Sequence, residues 1–90
     1  MTAIEGRRVD ADPDDPNQFP FPKMEPGDYG KDIHGVWHCR PPWKHAAGCL
    51  GNHKVVEHED GTITVSPSIL IKTHLGNWHG YLEQGIWREC

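Results

Sequence analysis

Residues 38–49, HCRPPWKHAAGC, concentrate side chains that can bind a metal. The stretch holds two of the three cysteines, Cys39 and Cys49, and two of the seven histidines, His38 and His45. The two prolines between the cysteines rule out a regular helix or strand there. Three arrangements fit this pattern: a metal-binding loop, a disulfide between Cys39 and Cys49, or a proline-bent connection with free buried thiols.

The last twelve residues, HGYLEQGIWREC, supply a second group of candidate ligands. His79 and Cys90 stand at the two ends of this segment, which reads as a hairpin turning at Glu83-Gln84-Gly85. Antiparallel pairing would bring the two ends together. This is the best geometric argument in the sequence for two ligands of one ion.

Zinc is the metal that these residue types favour. Structural zinc sites often close with four cysteines or with three cysteines and one histidine. The predicted ligands are Cys39, Cys49, His79 and Cys90, with His74 and His45 in reserve. His38 adjoins Cys39, and adjacent strand residues point to opposite faces, so His38 is predicted to face away.

The elements that must position these ligands are short strands. No segment carries the apolar period of a helix, so the fold class is predicted to be small all-β, with zinc-stapled antiparallel hairpins resembling a zinc ribbon. An Asp60-Gly61 turn between β-branched runs is the clearest hairpin signal. The candidate strands are 35–38, 54–58, 62–66, 69–72, 80–82 and 86–88.

Composition divides the chain in two. The first 28 residues carry seven acidic and three basic side chains and five of the eight prolines, whereas the remainder has six of each charge. We therefore predict an extended acidic proline-rich arm over residues 1–32 and a zinc-stapled β domain over residues 33–90. Such an arm buries too little apolar surface to fold alone. It is either a disordered tail or an arm that binds a neighbouring subunit or partner, with Phe19, Phe21, Met24 and Tyr29 as the anchors in the second case.

The size of the body supports a staple. Domains below roughly 70 residues seldom bury enough apolar surface without a disulfide, a metal or a partner. No apolar run reaches the roughly 20 residues of a membrane helix, and the first residues lack the apolar stretch of a signal peptide. A reducing, cytoplasmic setting is therefore expected, where cysteines more often bind metals than pair.

Charge argues against nucleic acid as the main partner. The body is neutral and the arm is acidic, whereas non-specific affinity for nucleic acid comes mostly from Lys and Arg on phosphates. Catalytic zinc would need an open coordination position and a general base, and the chain has no H-E-x-x-H sequence. A zinc hydrolase is therefore the minority interpretation.

Three segments resemble an uncharacterised family of small Cys/His proteins encoded mainly by bacteriophages and prophages. Cys39 and Cys49 correspond to the family's cysteine knuckle, Ser66-Pro67-Ser68 to its SPS segment, and His79, Gly85 and Cys90 to its closing hairpin. The likeness covers about residues 36–90. The knuckle is longer here, and the cysteine usual before the hairpin histidine is replaced by His74 or Trp78. Some members are named ammonia monooxygenase, an activity that these residues do not support.

The resemblance implies zinc binding and a phage origin. From it, together with the charge and hydropathy of the chain, we expect a non-enzymatic binding module in the virion or the host cytoplasm, with a protein partner and no nucleic acid or membrane. One version is a capsid decoration or tail-associated protein that contacts neighbouring virion subunits through its arm. The alternative is a small intracellular modulator that binds a host protein.

Overall fold

Ten short strands build the part of the protein that the structure describes. The computed structural model describes residues 3–12, 14, 24–43 and 46–90. No helix occurs in these ranges, and most strand pairs are antiparallel, which confirms the predicted small all-β class. In chain order the strands are β1 (Ala3–Glu5), β2 (Arg7–Arg8), β3 (Asp28–Lys31), β4 (Trp37–Cys39), β5 (Gly48–Cys49), β6 (Lys54–Glu57), β7 (Ile63–Ser66), β8 (Ile69–Thr73), β9 (Gly76–Glu83) and β10 (Ile86–Glu89).

The first sheet contains the predicted C-terminal hairpin. Its strand order is β1-β10-β9-β8, and every neighbour is antiparallel. Gln84 and Gly85 form the two-residue turn between β9 and β10 with φ of 49° and 77°. Positive φ at both positions suits the turn type that matches strand twist, and glycine adopts it without strain. The hairpin is therefore confirmed, with a longer first strand than the sequence indicates.

The second sheet, in the order β2-β3-β4-β5, contains part of the predicted arm. β2 pairs in parallel with β3, and β3 pairs antiparallel with β4. The boundary predicted at residue 32 therefore does not coincide with the strand pairing, and β1 likewise pairs with β10. Composition misleads here because main-chain pairing does not depend on apolar side chains. The acidic charge is also matched, since Arg7 makes two hydrogen bonds of 3.2 and 2.9 Å to the buried Asp28 carboxylate.

The third sheet is the β6-β7 hairpin that the sequence predicts. Val55 pairs with Val65 and Val56 with Thr64. The Asp60 side chain accepts hydrogen bonds from the Thr62 amide and hydroxyl, which fixes the turn. An aspartate that bonds the backbone two residues on is a standard turn device.

Two tryptophans form the centre of the core. Trp78 of β9 and Trp87 of β10 meet edge to face, with ring centroids 5.5 Å apart. The Trp87 indole nitrogen donates a hydrogen bond of 2.8 Å to the Gly27 carbonyl, which connects the first sheet to the segment that leads into β3. The other buried members of this core cluster are Tyr29, Cys39, Leu50, Ile63, Val65, Ile69 and Leu82.

Candidate functional site

Cys39 and Cys49 lie on opposite faces of the second sheet. The register of β4 and β5 pairs Cys39 with Gly48 and His38 with Cys49. Since side chains alternate along a strand, Cys39 shares a face with Gly48 and Cys49 shares the other face with His38. Cys39 is completely buried and Cys49 is exposed. One ion could not take both thiols in this register.

The environment of Cys39 is that of a core residue. Burial raises the pKa of the Cys39 thiol to about 12, although a hydrogen bond from the Gly48 backbone acts in the opposite direction. Zinc is bound by the thiolate rather than the thiol. Without a bound cation the side chain is therefore an uncharged thiol at neutral pH, packed in the core, whereas a bound zinc ion would itself deprotonate it.

His79 and Cys90 are brought together at the open end of the β9-β10 hairpin. The Cys90 amide donates a hydrogen bond of 2.9 Å to the His79 carbonyl. Both residues are exposed, and the His79 Nε2 atom lies 2.8 Å from the Ser68 hydroxyl oxygen. This pair belongs to the first sheet, whereas Cys39 and Cys49 belong to the second.

The predicted zinc ligands do not converge in this arrangement. In the ranges that the structure describes, no three His, Cys, Asp or Glu side chains are placed to hold one ion. His74, one reserve ligand, is exposed in the β8-β9 turn, and His45, the other, lies outside the described residues. The described ligand set does not fit zinc. Zinc binding stays a prediction, which elemental analysis and thermal melting with a chelator would test.

The predicted partner-binding residues of the arm fall in three different settings. Phe19 and Phe21 lie outside the described residues. Met24 is half-buried, and its carbonyl accepts a 2.9 Å hydrogen bond from Arg40. Tyr29 is only 2 % exposed and packs in the core, so its side chain is not offered to a partner. β3 is buried over Asp28, Tyr29 and Gly30, and Tyr29 pairs with the completely buried Cys39.

His38 has a role that the sequence does not indicate. Its Nε2 atom lies 2.8 Å from an oxygen of the nearly buried Asp32 carboxylate. The other Asp32 oxygen accepts the His34 and Val36 amides and shapes the turn before β4. The hydrogen bond from His38 is the main cause that lowers the pKa of Asp32. In the sequence, the one sign of this arrangement is Asp32 itself, an aspartate at the start of a turn.

The solvent-exposed face of the first sheet carries the surface most suited to binding. Leu70 of β8 is 50 % exposed and Tyr81 of β9 is 43 % exposed. The register places them diagonally, because Leu70 pairs with His79, two residues before Tyr81. Leu75, in the β8-β9 turn, is 59 % exposed. We call Leu70, Leu75 and Tyr81 the β8-β9 patch. Its sign in the sequence is Leu70, an apolar residue at a position of β8 where the apolar-polar alternation predicts a polar one.

A shallow groove adjoins Tyr81. It has a volume of about 210 Å³ and lies between β7 and β9. Tyr81 and Glu83 form one wall, and the segment from Thr64 to Pro67 forms the other. An exposed tyrosine beside a concavity resembles the aromatic anchors that dominate protein interfaces.

Charged side chains of both signs lie along this face. The register groups Glu5 and Glu83 beside Ile86, at the end nearest the Gln84-Gly85 turn. Lys72 lies near the opposite end of the face. Arg88 pairs with Tyr81 between these two ends, so side chains of both charges border the patch and would orient a partner as it docks.

Comparisons with known proteins add no relationship to these observations. No helix in the described ranges is long and apolar enough to cross a membrane. Family models, curated proteins and solved structures were all compared with the chain, and none of the three comparisons finds a match.

Proposed function

We propose that the chain is a non-enzymatic module that binds another protein through the β8-β9 patch. The observation that carries the proposal is the concentration of exposed apolar side chains on one hairpin. Leu70, Leu75 and Tyr81 are 50, 59 and 43 % exposed. Exposed apolar residues are ordinary when scattered, but Leu70 and Tyr81 are diagonal neighbours and Tyr81 lines a groove, which is typical of an interaction surface.

The setting of the patch supports binding rather than chemistry. Its polar neighbours are His79, Lys72, Glu83 and Arg88, and Arg88 pairs directly with Tyr81. Such a face offers apolar contact with charges around it, which is the usual anatomy of a protein interface. A partner that covers Tyr81 would gain most of its affinity there, since aromatic anchors often dominate binding.

Site-specific photo-crosslinking tests this proposal. A photoreactive phenylalanine replaces Tyr81 in one variant and Val56 in another, in cells that carry the gene. Both side chains are 43 % exposed, but Val56 lies on the β6-β7 hairpin, which makes it the matched control. We expect an adduct with a different protein from position 81 and none from position 56.

A second substitution ties the adduct to the patch. Leu70→Ser in the position-81 variant should lower the yield of that adduct several-fold, because it removes an apolar neighbour without touching the core. Equal yields from positions 81 and 56, or a yield unaffected by Leu70→Ser, would contradict binding through this surface.

The resemblance to phage-encoded proteins favours a virion component as the specific role. In that version the module contacts neighbouring virion subunits, and the residues of the arm add to the contact. The alternative is an intracellular modulator that binds a host protein. Mass spectrometry of purified virions separates them, since absence of this polypeptide would exclude the virion version.

A further inference from the structure

β8 is the edge strand of the first sheet. The hydrogen-bonding pattern of β9 determines which main-chain groups of β8 face away from the sheet. The Cys90 amide donates to the His79 carbonyl, so His79 turns its main-chain groups toward β10. Trp78 and Gly80 must then turn theirs toward β8. Their partners in the register are Ile71 and Ile69. Leu70 and Lys72 therefore direct their N–H and C=O groups away from the sheet.

These four main-chain groups have no bonding partner within the part of the chain that the structure describes. No described strand pairs with β8 on its outer side. The adjacent outward carbonyl, that of Ser68, accepts the His53 ring nitrogen at 3.3 Å and so closes one end of the open stretch. The β8-β9 turn closes the other end, beyond Thr73. The open edge is thus limited to Leu70 and Lys72.

We infer that this edge binds a second copy of the chain, with β8 pairing antiparallel to β8 of the partner subunit. Leu70 would pair with Lys72 of the partner subunit, and Lys72 with the partner's Leu70. The two-fold axis would then pass beside Ile71. Each of the four open groups on each copy gains a hydrogen bond, and the two sheets become one of eight strands. This inference goes beyond the proposed function and does not require it.

Only one antiparallel register gives a hydrogen-bond partner to all the open main-chain groups of Leu70 and Lys72 without an unfavourable contact. A shift of one pairing step toward the N-terminus would place Lys72 opposite the partner's Ser68, whose carbonyl is already bonded to His53. A shift the other way would place the two Lys72 side chains directly opposite each other, which is unfavourable. In the inferred register, Lys72 lies opposite an exposed leucine, and its aliphatic stem can cover that leucine.

The interface would be small. One pair of five-residue strands buries less surface than the roughly 1,200 Å² of a stable interface. Self-association is therefore expected to be weak and to rise with protein concentration. A dimer would place two β8-β9 patches on one continuous face, which would raise the avidity for a partner with repeated sites.

Charge substitution at Leu70 tests the register. In the inferred pairing, Leu70→Glu faces Lys72 of the partner subunit twice per dimer, and dimerisation should become roughly 3- to 10-fold tighter. Leu70→Lys places like charges opposite each other and should weaken it by a similar factor. Val56→Glu is the control, since it makes the same change in net charge on another hairpin and should not tighten the dimer. Sedimentation velocity from micromolar to millimolar concentration measures all three.

A proline variant tests the main-chain bonds. Lys72→Pro removes the open donor, and proline is tolerated where an edge N–H faces solvent. Lys72→Ala removes the same charge but keeps the donor. We expect Lys72→Pro to abolish the dimer and Lys72→Ala to retain it, with unchanged circular dichroism in both.

Three results would overturn the inference. The mass could stay at the 10.2 kDa of one chain up to millimolar concentration. Leu70→Glu could weaken association as much as Leu70→Lys, which would indicate another interface. Lys72→Pro, once shown to be folded, could dimerise normally. None of these outcomes affects the crosslink from position 81 to a different protein, so the two proposals fail separately.

Discussion

At the scale of single residues, the two cysteines of residues 38–49 differ in what surrounds them. Cys39 is buried with its thiol pKa raised by desolvation, whereas Cys49 is exposed and receives a 3.4 Å hydrogen bond from the Gly51 amide. The sequence identifies both as equivalent ligands because the loop between them hides the strand register. A one-residue difference in register reverses the face on which a side chain lies.

We therefore predict unequal effects of two identical substitutions. Cys39→Ser should lower the free energy of unfolding by about 1–3 kcal/mol, because it buries a hydroxyl in an apolar site. Cys49→Ser should change it by less than about 0.5 kcal/mol, as is usual for exposed positions. Urea denaturation followed by tryptophan fluorescence measures both. Equal and large losses would instead indicate that both residues bind the same zinc ion.

The Asp32-His38 pair gives stability a specific dependence on pH. The folded state lowers the pKa of Asp32 below its usual 3.8, so the carboxylate stabilises the fold above that value. The stabilisation is lost as the pH falls through the lowered folded pKa. Asp32→Asn should therefore be most destabilising near neutral pH and approach the wild type in acid.

Urea denaturation at a series of pH values checks this expectation. Glu59→Gln is the matched control, since it removes an exposed carboxylate of the β6-β7 turn. A difference between Asp32→Asn and the wild type that stays constant from neutral pH into acid would show that the carboxylate charge is not what stabilises the turn.

At the scale of elements, hairpins with local signals were predictable and long-range pairings were not. Asp60-Gly61 and Gln84-Gly85 mark their turns in the sequence, and the flanking strands follow within a few residues. Nothing local indicates that β1 pairs with β10 or β2 with β3, because these contacts join residues far apart in the chain. The zinc prediction depended on such distant contacts, which explains why spacing alone could not place its ligands.

Arg8 shows how one side chain joins several elements. Its guanidinium lies 5.0 Å from the centroid of the Trp37 ring and pairs with Asp10 and Glu57. The guanidinium also donates a hydrogen bond of 3.1 Å to the Gly61 carbonyl. Lys31 lies at the same distance from the Trp37 ring and pairs with Glu57 as well. β2, β3, β4 and the β6-β7 hairpin are thereby connected through one cluster of charges around one indole.

We predict that Arg8→Ala lowers the free energy of unfolding by about 1–2 kcal/mol, the sum of a cation–π contact and partly exposed ion pairs. The loss should shrink at high salt, since exposed charges are screened. Arg88→Ala is the control, because that arginine is exposed on the first sheet. Denaturation curves of the two variants at low and high salt make the comparison, and equal effects would refute the role of the cluster.

At the scale of the whole molecule, the N-terminal residues belong to the folded body. β1 covers one edge of the first sheet and β2 extends the second, so the core around Trp78 and Trp87 is enclosed by residues from both ends of the chain. β8 is the contrasting edge, bordered by the β8-β9 patch on the exposed face. Binding through β8 and through the patch requires this edge and this face to be open in the isolated chain.

Amide hydrogen exchange in dilute solution tests that claim most directly. The register predicts alternation along β8, with Ile69 and Ile71 donating to β9 and protected, and with Leu70 and Lys72 open. Exchange at Leu70 and Lys72 should be faster by roughly 100-fold or more than at their neighbours. Uniform protection of all four amides in the monomer would show that the edge is already covered, and it would contradict the inferred pairing of β8 with a second copy.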